Sequence, residues 1–436
     1  MDVTQREMVD PGGLEPEDDG IGTNWAGNYR YGAAALVRPG SVEELCELVA
    51  GASAVRALGS RHSFSDLPDT VGTLVDLSGL PSDVRVEQGA PGTGPVVSVG
   101  GATRYGALAA ALEESGWALA AMASLPHISV AGAVATGTHG SGDRTRSLAA
   151  AVRAVELVAA DGSVRRVERG SPDFDGSVVA LGALGIVTRL ELDVEPSYVV
   201  GQEVRTGLTW STLESRFDDI TAAAYSVSVF TRFGDAVDQL WLKHREGEEP
   251  PTDLFGTVAA TGPLHMLLGG ADEALTDQGG VVGPWLDRLP HFRMAFTPSI
   301  GAELQTEYFV ARSRALEVIA ALRRLAPRFT PLLLVSEIRT VAGDDLWLSG
   351  AHGRDTVALH FTWRREERAV RAAVREIEEA LVPLGARPHW GKVFEMDAAA
   401  LREAFPRLAD FAALRSRVDP QRVFGNAFLD RVLGEH

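Results

Sequence analysis

The sequence predicts an α+β protein in two structural parts, and three observations carry this. At 436 residues the chain exceeds what one small core organises, so two domains are the expectation. Its first half alternates short elements. From about Val200 the texture changes to longer strand-like runs with two amphipathic helical patterns, the mark of an antiparallel sheet with helices on one face.

In the first half, Ser41 and Glu44 have the spacing of a capping box for a helix through Val49. Val55 to Leu58 and Leu74 to Leu77 read as strands, Val96 to Val99 as a third, and Tyr105 to Leu112 as a helix. Val152 to Ala159, the turn Asp161-Gly162 and Ser163 to Glu168 form a predicted hairpin. Leu190 to Val194 closes the region. In the second half the predicted strands are Ser226 to Phe230, Gln239 to Lys243, Leu304 to Phe309, Leu332 to Thr340 and Thr356 to Trp363, with helices at Arg314 to Leu325 and Glu366 to Leu381. A glycine- and proline-rich insertion runs from about Glu246 to Gly283, and Leu401 to Phe428 has helical character broken at Asp419-Pro420.

The formal net charge of -18 argues against a nucleic-acid backbone as partner. A single cysteine, Cys46, cannot form an internal disulfide and reads as a small buried residue. No apolar run spans a membrane, and no metal-ligand cluster stands out. The acidic first residues differ from basic or acid-poor targeting peptides; they read as a disordered lead-in, with the cytoplasm as the expected location.

His62, in Gly59-Ser60-Arg61-His62-Ser63-Phe64, sits in a turn that could carry a ligand. Ser129 to Gly142 is rich in glycine, alanine, serine and threonine, a composition that lets backbone amides approach anionic oxygens. Together they suggest a phosphate-rich cofactor, although neither a dinucleotide glycine fingerprint nor a phosphate loop is present. Residues two apart on a strand share a face. That places Glu337 with Arg339, His360 with Thr362 (Phe361 and Trp363 opposite), and Glu303, Gln305 and Glu307 together. Such faces are usually solvated; converging, they would suit a polyhydroxylated ligand. Lys392, after Gly391, could stabilise developing negative charge.

Through Thr23-Asn24-Trp25-Ala26-Gly27-Asn28, Arg61-His62-Ser63-Phe64, Met122 to Gly142, Glu337-Ile338-Arg339-Thr340, His360-Phe361-Thr362-Trp363 and Pro388-His389-Trp390-Gly391-Lys392, the chain resembles the bacterial alditol oxidases of the vanillyl-alcohol-oxidase superfamily. The resemblance implies a two-domain FAD-linked oxidase fold: a lead-in at 1–19, an FAD-binding domain at 20–199, an inserted substrate domain at 200–386 and a return to the FAD domain at 387–436. It implies FAD bound covalently through His62, an anchor whose electron-withdrawing link strengthens the flavin as an oxidant. Gly59, Ser60, Arg61, Ser63, Phe64, Ser124, Ser129, Gly132, Gly137, Thr138, His139, Gly140, Gly142 and Ile186 would complete the cofactor site. It further implies that Ser124, Glu337, Arg339, His360, Thr362 and Lys392 bind a polyol such as xylitol or sorbitol, with His360, Lys392, Arg339 and Glu337 acting in catalysis. Ala123 would leave room for dioxygen, which is reduced to hydrogen peroxide. Aldonolactone oxidases share several of these motifs, so a lactone substrate or a non-oxygen acceptor is the alternative. No obligate protein partner is implied. Two departures stand out: the acidic N-terminus, and Arg61, where the pattern carries glycine.

Overall fold

A computed structural model describes residues 21–89, 94–248, 251, 253–267, 269–296 and 303–434; the expected acidic lead-in lies outside them. Four sheets organise the described chain. Ala35–Val37, Thr73–Asp76 and Val55–Leu58 form a small parallel sheet, with the helix Val42–Gly51 crossing over between its first two strands in sequence. That helix begins where expected: the Ser41 side chain accepts a hydrogen bond from the Glu44 amide, the first half of the capping box. A five-stranded antiparallel sheet follows in the order Val84–Glu87, Val96–Gly100, Ile186–Asp193, Val152–Val158, Val164–Glu168. The hairpin around Asp161-Gly162 is present, with Gly162 at φ +77°, where glycine is favoured.

The second half builds one large antiparallel sheet. Its strands run Val258–Ala259, Val199–Thr206, Gln239–Arg245, Ser226–Thr231, Leu333–Val341, Thr356–Arg364, Glu303–Ala311 and Arg387–Pro388, with Val282–Pro284 also pairing Val199–Thr206. The helices Ala315–Phe329 and Glu367–Leu381 lie against one face. Their buried residues Val318, Ile319 and Leu322, and Val370, Val374 and Ile377, follow helical spacing. They pack with Phe361 and Trp363, themselves stacked with centroids 5.2 Å apart. The first of these helices runs through Pro327 to Phe329, beyond the Leu325 end read from the sequence. A proline near the last turn removes one backbone donor, and buried Ala326 and Phe329 hold that turn in the core.

The C-terminal helices Ala398–Ala404, Leu408–Val418 and Ala427–Leu433 return to the first half. Phe405, Phe411, Phe428 and Leu429 share a core with Val97, Leu108, Leu148 and Leu190. Cys46 is a half-buried free thiol against the cluster of Leu45 and Val49, less enclosed than expected. Among the described residues no helix is long and apolar enough to cross a membrane.

Candidate active site

The polar faces read from strand spacing meet in one cavity of about 430 Å³. Strand register makes the convergence unavoidable. Glu337 stands opposite His360, and His360 opposite Glu307, so the three form a row across neighbouring strands. Thr362 stands opposite Gln305 in the next row on the same face. The segment from His389 to Val393 hooks onto this sheet, its His389 and Val393 amides donating to the Glu307 and Gln305 carbonyls at 2.9 Å. This places Lys392 over the row.

Glu307 is the electrostatic centre. It is 2% exposed, yet meets Lys392 Nζ at 2.8 Å, Arg339 at 2.7 Å and His139 Nε2 at 3.2 Å. Burial would raise its carboxyl, but Lys392, Arg339 and His139 hold it well below the usual carboxylate range. Glu337 behaves likewise: burial opposes ionisation, and Arg339 and His291 outweigh it, leaving the carboxyl far below normal. Burial pushes Lys392 down, with Glu307 resisting. His360 falls well below the usual imidazole range through burial, reinforced by Lys392, so its ring is neutral. Gln305 donates to Glu303 at 2.8 Å, which turns its carbonyl oxygen to His360 Nε2 at 3.2 Å. His360 therefore carries its proton on Nε2, and Nδ1 is its acceptor.

The His62 turn forms another wall. The Phe64 amide donates to the Gly391 carbonyl at 2.8 Å, tying this turn to the Lys392 segment. The Ser129 amide donates to Ser60 Oγ at 3.1 Å, tying it to the glycine-rich stretch. Burial drives His62 down to about 4, so it is a neutral imidazole, and its Nδ1 is buried without a hydrogen-bond partner. Ser129 Oγ is likewise buried and unpartnered. A Cβ on Gly59 would come within 2.9 Å of that hydroxyl and one on Gly132 within 2.7 Å. A neutral imidazole and an idle hydroxyl beside close-packed glycines fit an FAD site, the hydroxyl as a donor to phosphate oxygen.

Of the residues expected at the cofactor, Gly59, Ser60, Arg61, His62, Ser63, Phe64, Ser124, Ser129, Gly132, Thr138 and His139 line the cavity, as does Ala123. Gly137, Gly140, Gly142 and Ile186 do not. Ser129 precedes a short helix, Val130–Ala135, within the stretch read as compact backbone, and the chain leaves the cavity only after His139. The Gly142 amide instead donates to the Thr340 carbonyl at 2.9 Å, and Ile186 packs with Val158 and Phe424. His139 is engaged with Glu307 and the Gly140 carbonyl, so its ring serves the carboxylate row.

Sequence reasoning gave no role to Glu307, Gln305 or His291. The first two were visible as an alternation. His291 follows an insertion without periodicity, yet its Nε2 lies 2.9 Å from Glu337.

Residues 33–168 match an FAD-binding domain family, and residues 302–432 match the D-arabinono-1,4-lactone oxidase family. An alditol oxidase of a Streptomyces sp. is 49% identical over 94% of this chain and 98% of its own length. An L-gulono-1,4-lactone dehydrogenase of Mycobacterium tuberculosis is 32% identical over 95% of this chain and 99% of its own. The crystal structure of cholesterol oxidase from B. sterolicum shares the fold, with a TM-score of 0.75 at 15% identity over 94% of this chain and 96% of that one. The matched FAD-binding segment holds the His62 turn and the Ser129 loop, the matched oxidase segment holds Glu307, Glu337, His360 and Lys392, and identity to the Streptomyces enzyme runs through both: the chain belongs to the alditol-oxidase family of FAD-dependent oxidoreductases.

Proposed function

We propose that this enzyme oxidises the terminal primary alcohol of a polyol, such as xylitol or sorbitol, to the aldose, with FAD covalently held by His62 and dioxygen reduced to hydrogen peroxide. One observation carries the reading: the buried row Glu337–His360–Glu307, with Arg339, Thr362 and Lys392 around it, shares a cavity with the His62 turn. Polar groups this dense suit a ligand with a hydroxyl on every carbon, and reject analogues lacking those hydroxyls because buried partners would be left unpaired. We assign the FAD-binding part to 20–199 with 387–436 and the substrate part to 200–386.

FAD, when bound, supplies the hydride acceptor and the route of electrons to dioxygen. Ser129, Gly132 and the Gly59–Phe64 turn hold it. Glu337, Thr362 and Ser124 bind substrate hydroxyls, while Arg339 and Lys392, fixed by Glu307, hold oxygens on which negative charge develops. His360 Nδ1 takes the hydroxyl proton. Its low basicity means that the proton moves as hydride leaves, when the hydroxyl becomes strongly acidic. Ala123, 4% exposed and lining the cavity, keeps room for dioxygen.

The match of 302–432 to a lactone oxidase family and the likeness to a lactone dehydrogenase favour one second reading: a lactone substrate or another electron acceptor. Peroxide formation from xylitol, sorbitol and an aldonolactone under air, beside flavin bleaching without air, separates the two. Bleaching by xylitol with background peroxide would establish a dehydrogenase, and response to the lactone alone would overturn the polyol substrate.

A further inference from the structure

Beneath the substrate row lies a second layer that the catalytic scheme does not use. Lys243, on the strand Gln239–Arg245, is 1% exposed. A buried lysine is costly unless every N–H finds an acceptor. Here three acceptors surround Nζ: the Leu289 carbonyl at 2.5 Å, the Pro290 carbonyl at 3.3 Å and His291 Nδ1 at 3.2 Å. Three acceptors match the three donors of an ammonium group; burial pushes Lys243 down to about 7, with Glu337 resisting, so the ammonium is the form held below neutral pH.

That arrangement decides the state of His291. Its Nδ1 receives a hydrogen bond from Lys243, so the ring proton sits on Nε2, which donates to Glu337 Oε1 at 2.9 Å. The ring is packed edge-on against Phe230 and Trp241 and cannot turn freely. The charged groups facing it are Lys243 from one strand and Glu337 and Arg339 from another. The same residue reaches the opposite wall through its backbone: the His291 and Phe292 amides both donate to the Ser124 carbonyl, at 3.0 and 3.2 Å. One residue therefore joins the carboxylate row to the serine beside Ala123.

We propose that Lys243 and His291 are a positioning pair for the substrate-binding carboxylate, Lys243 fixing the His291 tautomer so that His291 holds Glu337 ionised, correctly turned and in register with Ser124. This deepens the polyol reading and rests on it. Burial and the neighbouring ammonium keep His291 down at about 4, in keeping with a ring that stays neutral while the pair is intact. Without an N–H donor on Nδ1, His291 can take a second proton there and become an imidazolium facing Glu337, which weakens that carboxylate as a hydroxyl acceptor.

The test uses flavin-loaded full-length protein with xylitol. Lys243→Met is expected to raise KM about tenfold, the loss of one well-placed charged contact. It should also bring an acid-side limb into kcat/KM at higher pH than in the wild type, because one of the causes holding His291 down is gone while burial remains. Lys243→Gln, which keeps an N–H donor, should preserve the wild-type profile, and Lys243→Met combined with His291→Gln should abolish the new limb. A wild-type KM and profile in Lys243→Met, or a limb that survives in the double variant, overturns the pair. Nitrogen-15 histidine spectra of the wild type, with His291 identified by its absence in His291→Gln, supply a readout that needs no turnover. A neutral ring protonated on Nε2 supports the proposal, and an imidazolium or an Nδ1-protonated ring refutes it. If xylitol fails to reduce wild-type flavin, the polyol reading falls while the nitrogen spectra still judge the pair.

Discussion

Trp25 stacks on His62, ring centroids 5.4 Å apart and planes 23° from parallel. The indole covers one face of the imidazole while Asn24 and Asn28 donate to the Ser63 and Phe64 carbonyls at 2.9 and 3.0 Å. The ring is held oriented and neutral, as the proposed covalent link requires. His62→Ala should therefore release flavin on acid precipitation, leave a colourless pellet, and still bind flavin reversibly before denaturation. Turnover should fall about tenfold, equivalent to roughly 1.4 kcal/mol of barrier. Flavin that stays attached to the denatured variant would assign the bond elsewhere.

Glu307→Gln should leave Lys392 and Arg339 facing each other without their shared anion. Removing one partner of a buried ion pair costs about 3–5 kcal/mol of stability, so the melting temperature should fall, and kcat/KM for polyol should drop as Lys392 and Arg339 lose the anion that positions them. Glu307 raises the Lys392 pKa in the wild type, so its loss lowers that pKa further. Residual activity should then shift toward acid, where Lys392 regains its proton, and a pH profile displaced toward alkali would contradict the assignment.

Arg61 has φ +62°, in the left-handed region that favours glycine. Its guanidinium reaches the Ile21 carbonyl, lies 3.4 Å from the Thr23 carbonyl and sits over the Tyr31 ring. The side chain thus pins the segment that carries Trp25, at the cost of local strain. Arg61→Ala should lower the melting temperature more than Arg61→Gly, because alanine loses the pin and keeps about 1 kcal/mol of strain. Equal melting temperatures would show that the strain is not borne at this position.

Glu378, on the helix Glu367–Leu381, is raised by burial to about 7. Since the folded value lies above the unfolded one, its stabilising contribution is full below the unfolded pKa and is lost as pH rises through about 7. The difference is on the order of 3 kcal/mol. Glu378→Gln should flatten the fall in melting temperature between mildly acid and mildly alkaline buffer; an unchanged slope would exclude Glu378 as its source.

The strand faces were legible because a period of two is a local property: Glu337 with Arg339 and His360 with Thr362 could be paired without knowing the fold. Register was not. Glu307 joins cations 32 and 85 positions away (Arg339, Lys392) and His139 from the other side, and no local pattern encodes that meeting. His291 and Lys243 were hidden differently, one just beyond an aperiodic insertion and the other at the end of a strand. In the glycine-rich stretch, composition marked the right segment but could not show that the chain turns from the cavity after His139. That turning is why Ser129 and Gly132 line the cavity while Gly140 and Gly142 do not.

The displaced Gly142 carries a wider consequence. Its amide bonds Thr340, the Ala342 amide bonds the Thr145 carbonyl at 2.9 Å, and Asp143 pairs with Arg312. The 142–145 segment is stitched to the strand bearing Glu337 and Arg339 and to the end of the strand bearing Glu307. The two parts are therefore not exchangeable modules. A hybrid that takes the strands Glu303–Ala311 and Leu333–Val341 from a relative would sever that seam, whereas one that keeps them leaves Gly142 with its own Thr340.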